Sequence, residues 1–191
     1  MKYFQAISIA IVGLTIAKLN FADDEREKNI EWVLMISKEA AHKIEPRNPV
    51  PKSMSRKLAE LLVNETTDRH KLALLTVYAF AEGAYSLDPS LPGDCHGLPA
   101  GTPKCTPRLV ESNTICCDVD HAQHWCTLQV EPKPNTIDEC IKRASVIMDK
   151  DIATCSEYPG SVYATGGVCG YSFRIAWRAK IAKHLESMEN N

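Results

Sequence analysis

One stretch leaves this chain little choice of fold. Residues 68–83, D-R-H-K-L-A-L-L-T-V-Y-A-F-A-E-G, are apolar almost all the way round a helix. Leu72, Ala73, Leu74, Leu75, Val77, Tyr78, Ala79, Phe80 and Ala81 leave no polar face, so the rest of the domain has to enclose this helix. Asp68 is placed to be its N-cap and Gly83 to be the C′ residue that ends it. Glu82 then stands in the last turn, at the edge of the core, where loss of water favours the neutral acid over the carboxylate. A carboxyl kept protonated near neutral pH is what general acid catalysis requires. The competing reading is a helix-end glutamate that points into solvent.

The start of the chain reads as an export signal. Lys2 is a short positive region, residues 3–17 are mostly apolar, and small residues follow at Thr15, Ala17 and Ala22. The run falls short of the roughly 20 apolar residues that span a bilayer. Residues 1–22 are therefore expected to be a signal peptide or a weak membrane anchor, with residues 23–191 as one domain; an ordinary amphipathic first helix is the alternative. No stable membrane span is expected once the signal is removed. Without Lys2 and Lys18 the chain holds 20 basic against 24 acidic side chains and no basic run, which argues against a nucleic-acid partner. Eight cysteines, all beyond Glu82, suit an oxidising compartment and predict disulfides in the loop-rich half. Cys95 is expected to pair with another cysteine of residues 94–126. Cys116, Cys117, His121, His124 and Cys126 could also supply zinc ligands, but their spacing fits no standard finger. The reading is disulfides, with no metal and no cofactor, in a secreted or periplasmic protein, signal-anchored or phage-encoded being open.

Periodicity predicts a helix over 23–44, with Ile30, Val33, Leu34, Ser37, Ala41 and Ile44 on one face and Asp23, Asp24, Glu25 and Glu27 near its start. Three prolines make 46–51 a loop. Ser53 or Ser55 caps a second helix that runs through Asn64, and the central helix follows. Asn64-Glu65-Thr66 also fits a short glycosylation pattern. Prolines and glycines exclude extended helix from 85 to 120, leaving weak strands near 108–110 and 125–130. Thr136 caps a fourth helix over about 137–149, with Ile137, Cys140, Ile141, Ala144 and Met148 inward, and a last helix covers 171–185. The class is mainly α, with minor β and a disulfide-tied irregular region.

Three stretches, in order, resemble the lysozyme-like lytic transglycosylase (SLT-type) superfamily, which includes goose-type lysozymes and many phage endolysins. Ala79-Phe80-Ala81-Glu82-Gly83, followed by Tyr85 and Asp88-Pro89, is similar to the end of that family's catalytic helix. Trp125-Cys126-Thr127-Leu128-Gln129-Val130 is similar to its G-L-M-Q-I segment, and Val162-Tyr163-Ala164-Thr165-Gly166-Gly167 to its A-Y-N-x-G segment. The resemblance covers roughly residues 57–185 and departs from the pattern at Gly83, at Cys126-Thr127-Leu128 and at Ala164. It implies a lysozyme-like fold and a peptidoglycan substrate, cleaved between muramic acid and glucosamine residues.

On that reading Glu82 protonates the glycosidic oxygen and then acts as base. A transglycosylase directs the base at the sugar's own C6 hydroxyl, whereas a hydrolase uses water and a second carboxylate. Asp88, Asp94, Asp118 and Asp120 are candidates for that second group, but none falls on a motif, which leans toward the transglycosylase. The resemblance further implies that Thr127 and Gln129 lie near the sugar and that Tyr163 hydrogen-bonds near Glu82. The alternatives are an exposed strand for 125–130 and a packed aromatic beside a glycine turn for Tyr163. At the level of the molecule, the alternatives are a secreted cysteine-rich helical binding protein and a lysozyme-like wall-binding protein that has lost activity.

Overall fold

The computed structural model describes residues 2–48, 50, 52–91, 124–165 and 169–189, with side chains from residue 23 onward apart from 164 and 165. The protein is mainly helical. Among the described residues six helices follow in order: α1 (Lys2–Ile44), α2 (Arg56–Glu65), α3 (Arg69–Gly83), α4 (Ile137–Thr154), α5 (Ser161–Thr165) and α6 (Phe173–Glu186). Among the described residues no helix is long and apolar enough to cross a membrane.

Helix α3 is the enclosed one, as its composition dictates. Every residue from Lys71 to Phe80 is buried, and α1, α2, α4 and α6 all pack on it. Its buried leucines, Val77 and Phe80 each stabilise the fold by about 1.5–3 kcal/mol through the water they exclude. Asp68 caps it, accepting from the Lys71 N–H at 2.9 Å. Lys71 is buried among them because its ammonium reaches Asp149 of α4 at 2.6 Å. Ser55, not Ser53, caps α2, and Thr136 caps α4 through the N–H of Glu139.

Helix α1 runs unbroken from Lys2, so Asp23, Asp24, Glu25 and Glu27 lie along its exposed middle rather than complementing a first turn. Its buried face is wider than the periodicity suggested, because Trp32, Ile36 and Ala40 join Ile30, Val33 and Ala41. Ser37 fits that apolar face because its hydroxyl is used twice: it donates to Leu34 O at 2.7 Å and accepts from Met54 N–H at 3.0 Å. The indole of Trp32 donates to Met188 O at 2.8 Å, tying α1 to the end of the chain. Outside, Arg56 of α2 clamps Glu27 and Glu31 of α1.

Helix α4 is a turn longer than expected and buries Ile137, Cys140, Ile141, Ala144 and Met148 as expected. Helix α6 starts at Phe173, capped by Ser172; it buries Ile175, Ile181 and Leu185, while Phe173 faces solvent. Among the described residues two disulfides, Cys126–Cys140 and Cys155–Cys169, tie the second half and are compatible with an extracellular or periplasmic protein. Cys126 is therefore not the partner of Cys95, and its sulfur is not free to bind zinc. Cys95, Cys105, Cys116, Cys117, His121 and the possible strand at 108–110 lie outside the described residues.

Candidate functional site

The last turn of α3 sets the geometry. The chain leaves the helix through two left-handed residues, Ala84 (φ 47°) and Tyr85 (φ 61°). Their N–H groups return to Phe80 O at 2.8 Å and Ala79 O at 3.1 Å, which satisfies carbonyls that a helix end leaves open. Gly83 is thus not the left-handed cap expected from sequence; the helix includes it. Its lack of a side chain serves a close approach instead, since a Cβ there would stand 2.4 Å from the Cα of Thr127.

The segment that presses on Gly83 is the 125–130 turn. It is a turn closed by a single antiparallel bridge between Trp125 and Val130 rather than a strand. Cys126 is bonded to Cys140 of α4, and its N–H donates to Leu91 O at 2.8 Å. Thr127 is wholly buried, and its hydroxyl donates to Ala79 O at 2.9 Å. It fastens the turn to the end of α3. Gln129 takes a left-handed backbone, φ 47°, a conformation that costs a non-glycine residue about 1–3 kcal/mol and that recurs at functional sites.

From that position the Gln129 amide reaches Glu82. Its Nε2 donates to Glu82 Oε2 at 2.8 Å and lies 3.2 Å from Glu82 O. The other carboxylate oxygen, Oε1, is held by Nη1 of Arg178, from α6. Both side chains of this ion pair are about five-sixths buried, with 16% of Glu82 and 15% of Arg178 exposed. The Arg178 guanidinium also lies over the ring of Tyr78, 5.0 Å from its centroid.

Tyr78 links this pair to the third segment. Its hydroxyl donates to Gly160 O at 3.1 Å, and a Cβ at Gly160 would fall 2.0 Å from that hydroxyl, so only glycine fits. The ring of Tyr163 stands edge-on to that of Tyr78, with centroids 5.0 Å apart. Tyr163 lies in the short helix α5, not in an open glycine turn. Its N–H donates to Asp151 Oδ2 at 3.0 Å, and Asp151 is fully buried. The Tyr163 hydroxyl is buried with no hydrogen-bond partner among the described residues. Burial first, then the negative charge of Glu82, push it well above an ordinary tyrosine. Burial likewise pushes Tyr78 up to about 12, although Arg178 opposes this.

Of the residues expected from sequence, Gln129 meets Glu82 and Thr127 lies beneath them, whereas Tyr163 packs edge-on against Tyr78 and makes no hydrogen bond to Glu82 among the described residues, contrary to expectation. Asp88 is exposed and its carboxylate accepts from Ser90 N–H at 2.8 Å in its own turn. Asp94, Asp118, Asp120, Gly166 and Gly167 lie outside the described residues. Sequence reasoning missed Arg178, although a signal existed: it sits three residues after Ile175 and three before Ile181, a charge on the buried stripe of α6. Asp151 was missed too, since a lone acid in the last turn of a helix carries no pattern.

Two of the open recesses among the described residues lie away from Glu82. One, of about 660 Å³, is lined by Trp125, Glu131, Pro132 and Lys133, on the turn that carries Gln129. The other, of about 380 Å³, lies beside the Cys155–Cys169 disulfide and Tyr171.

Chemically, the site is a part-buried carboxylate with an amide donor on one oxygen and a guanidinium on the other. With a proton in place of the guanidinium it is a general acid; with the guanidinium in place it is a fixed ion pair. No protein-family model, curated protein or solved structure matches the chain.

Proposed function

We propose that this protein cleaves the glycan strands of peptidoglycan, with Glu82 as proton donor, on a lysozyme-like helical scaffold. The observation that carries the reading is convergence on one carboxyl. Gln129, 47 residues away in sequence, donates to Glu82 at 2.8 Å. Tyr163, from the third resembling segment, stands edge-on to Tyr78, whose ring carries Arg178, the ion-pair partner of Glu82. Nothing in local structure requires these three segments to meet.

In the proposed reaction Glu82 gives its proton to the glycosidic oxygen as the bond to the muramic acid C1 breaks. The resulting carboxylate then takes a proton from the attacking hydroxyl. Gln129 fixes the carboxyl's plane through both the side chain and the backbone of Glu82. The second carboxylate of an inverting or retaining hydrolase would stand about 5–9.5 Å from the first. None of Asp88, Asp94, Asp118 and Asp120 falls on a motif, which leans toward attack by the sugar's C6 hydroxyl and an anhydro product.

One observation favours a second reading. The carboxyl that should hold a proton is ion-paired with Arg178. A wall-binding protein that kept the scaffold and lost the chemistry would look the same.

Clearing of a cell-wall suspension, with mass spectrometry of the released fragments, separates the two. The enzyme reading expects clearing and anhydro-muramyl ends, and expects Glu82→Gln to lower the rate by about a hundred- to ten-thousand-fold. A folded Glu82→Gln protein that clears walls at more than about a tenth of the original rate rules out Glu82 as the acid. Binding to walls without release of fragments selects the second reading.

A further inference from the structure

Resting on the glycan-cleaving reading, we propose that the recess beside the Cys155–Cys169 disulfide is a second saccharide subsite. In it the rings of Tyr158 and Tyr171 take a pyranose of the same glycan strand, away from the bond being cleaved.

The argument starts from where apolar surface is left in water. Among the described residues four large apolar side chains are exposed: Val50, Val146, Tyr171 and Phe173. Scattered aliphatics such as the two valines need no explanation. The two aromatics differ, because they stand two residues apart at the start of α6, with 68% of Tyr171 and 75% of Phe173 open to solvent. Tyr171 also forms one wall of a recess of about 380 Å³. Tyr158 forms another, its ring edge-on to that of Tyr171 with centroids 5.3 Å apart. Such a pair presents a ring face and a ring edge at one corner.

That corner is built before any ligand arrives. Cys155 and Cys169, three residues before Tyr158 and two before Tyr171, are bonded to each other, which ties the two ring-bearing segments together. The Tyr158 N–H donates to Cys155 O at 3.0 Å, and Ser172 caps α6 immediately after Tyr171. Little ordering is left to be done on binding, so little of the contact is spent on it.

The rest of the lining decides the class of ligand. It is polar, with Thr154, Ser156 and Glu157. The Thr154 hydroxyl donates to Lys150 O at 2.6 Å and keeps its acceptor lone pairs. A pyranose has a flat face of C–H groups, which packs on an aromatic ring, and a rim of hydroxyls, which both donate and accept. An acyl chain has no use for the polar lining, and the charge of Glu157 opposes an anionic headgroup or a phosphate backbone.

Its place relative to Glu82 puts the recess on the path of one strand. Arg178, which holds Glu82, lies on α6 five residues beyond Phe173, about 7.5 Å of helix rise. Arg174 is exposed one turn nearer the recess, on the same stripe as Arg178. A short oligosaccharide spans that separation.

Calorimetry tests the subsite, using the full chain with Glu82→Gln and a peptide-free hexasaccharide of the wall glycan. Adding Tyr171→Ala should weaken binding about three- to tenfold, as one aromatic contact provides. Adding Tyr171→Phe, which keeps the ring, should leave binding intact, and so should Val146→Ala, which removes exposed apolar surface outside the recess lining. Melting temperatures should match across these three additions, since each altered side chain is exposed.

Unchanged affinity in Tyr171→Ala, or no binding of the hexasaccharide at all, overturns the subsite. If the unaltered chain still clears cell walls in that case, cleavage at Glu82 stands and only the subsite has failed; if it does not, both have failed. Self-association that Tyr171→Ala abolishes while sugar binding is unchanged overturns the subsite in favour of a contact between two copies. Binding that depends on Tyr171, without clearing of walls by the unaltered chain, supports the subsite and removes the cleavage.

Discussion

At the residue scale, Glu82 and Gly83 show how neighbouring positions serve different ends. Glu82 is held by Gln129 and Arg178, so Glu82→Gln does more than remove a candidate proton donor. It leaves Arg178 part-buried without its counter-charge, and about 1–3 kcal/mol of stability should go with it. Activity of that variant therefore has to be compared at a temperature well below its own melting point. Gly83 holds the 125–130 turn close. A methyl at 2.4 Å from the Thr127 Cα cannot be absorbed by a side-chain rotation, because the obstacle is backbone. Gly83→Ala should cost about 1–3 kcal/mol through overpacking and, by lifting the turn, move Gln129 off Glu82. Denaturant unfolding reads the first effect; a loss within about 0.5 kcal/mol, the ordinary surface value, would contradict the close approach.

At the scale of elements, what was legible in the sequence was whatever is written locally. The caps at Asp68, Ser55 and Thr136, the all-apolar α3 and the inner face of α4 follow from side chains within a turn or two of one another. The wider face of α1 and the turn at 125–130 were not legible, because both are fixed by distant partners. Trp32 is buried by the chain end it bonds to, and the 125–130 turn by Cys140 and Ala79. The site divides the same way. Glu82 was named from its place at the end of the apolar helix and Gln129 and Tyr163 from motif likeness, whereas Arg178 depends on how α6 lies across α3. The Cys126–Cys140 bond is the element that keeps the turn in register with α4. It closes a 14-residue separation, for which the loop-entropy estimate is about 3 kcal/mol. The paired change Cys126→Ser with Cys140→Ser should therefore lower the unfolding free energy by about 2–5 kcal/mol. Near-neutral stability of the double variant, with Gln129 still on Glu82, would mean that Thr127 alone suffices to anchor the turn.

For the whole molecule, the enclosure of α3 brings buried phenols together with buried charge, and this sets how the protein responds to alkali. Tyr78, Tyr85 and Tyr163 are all raised above an ordinary tyrosine, chiefly by burial. Tyr78 rises to about 12, and its hydroxyl, like that of Tyr85, donates to a backbone carbonyl. In an unfolded chain each phenol titrates near its usual value, about 10. Between that value and the folded one, the unfolded chain has released protons that the folded protein keeps. Raising the pH through this window therefore favours unfolding, so the stability is fully present below about pH 10 and is lost above it. For Tyr78 alone the loss is about 2 kcal/mol by pH 12, at up to 1.36 kcal/mol for each unit. The other two buried phenols act in the same direction. Thermal melting should be nearly flat from pH 7 to about 9.5 and fall steeply by about pH 11.5, with the tyrosinate absorbance of the buried phenols appearing only as the fold is lost. Lysines also discharge in this range, so Tyr78→Phe is the control. It gives up the bond to Gly160, worth about 1 kcal/mol at neutral pH, but its stability should decline less steeply with alkali. Equal slopes for the two proteins would show that the phenol of Tyr78 is not desolvated by the packing of α3, and a melting temperature unchanged to pH 11.5 would show it for all three.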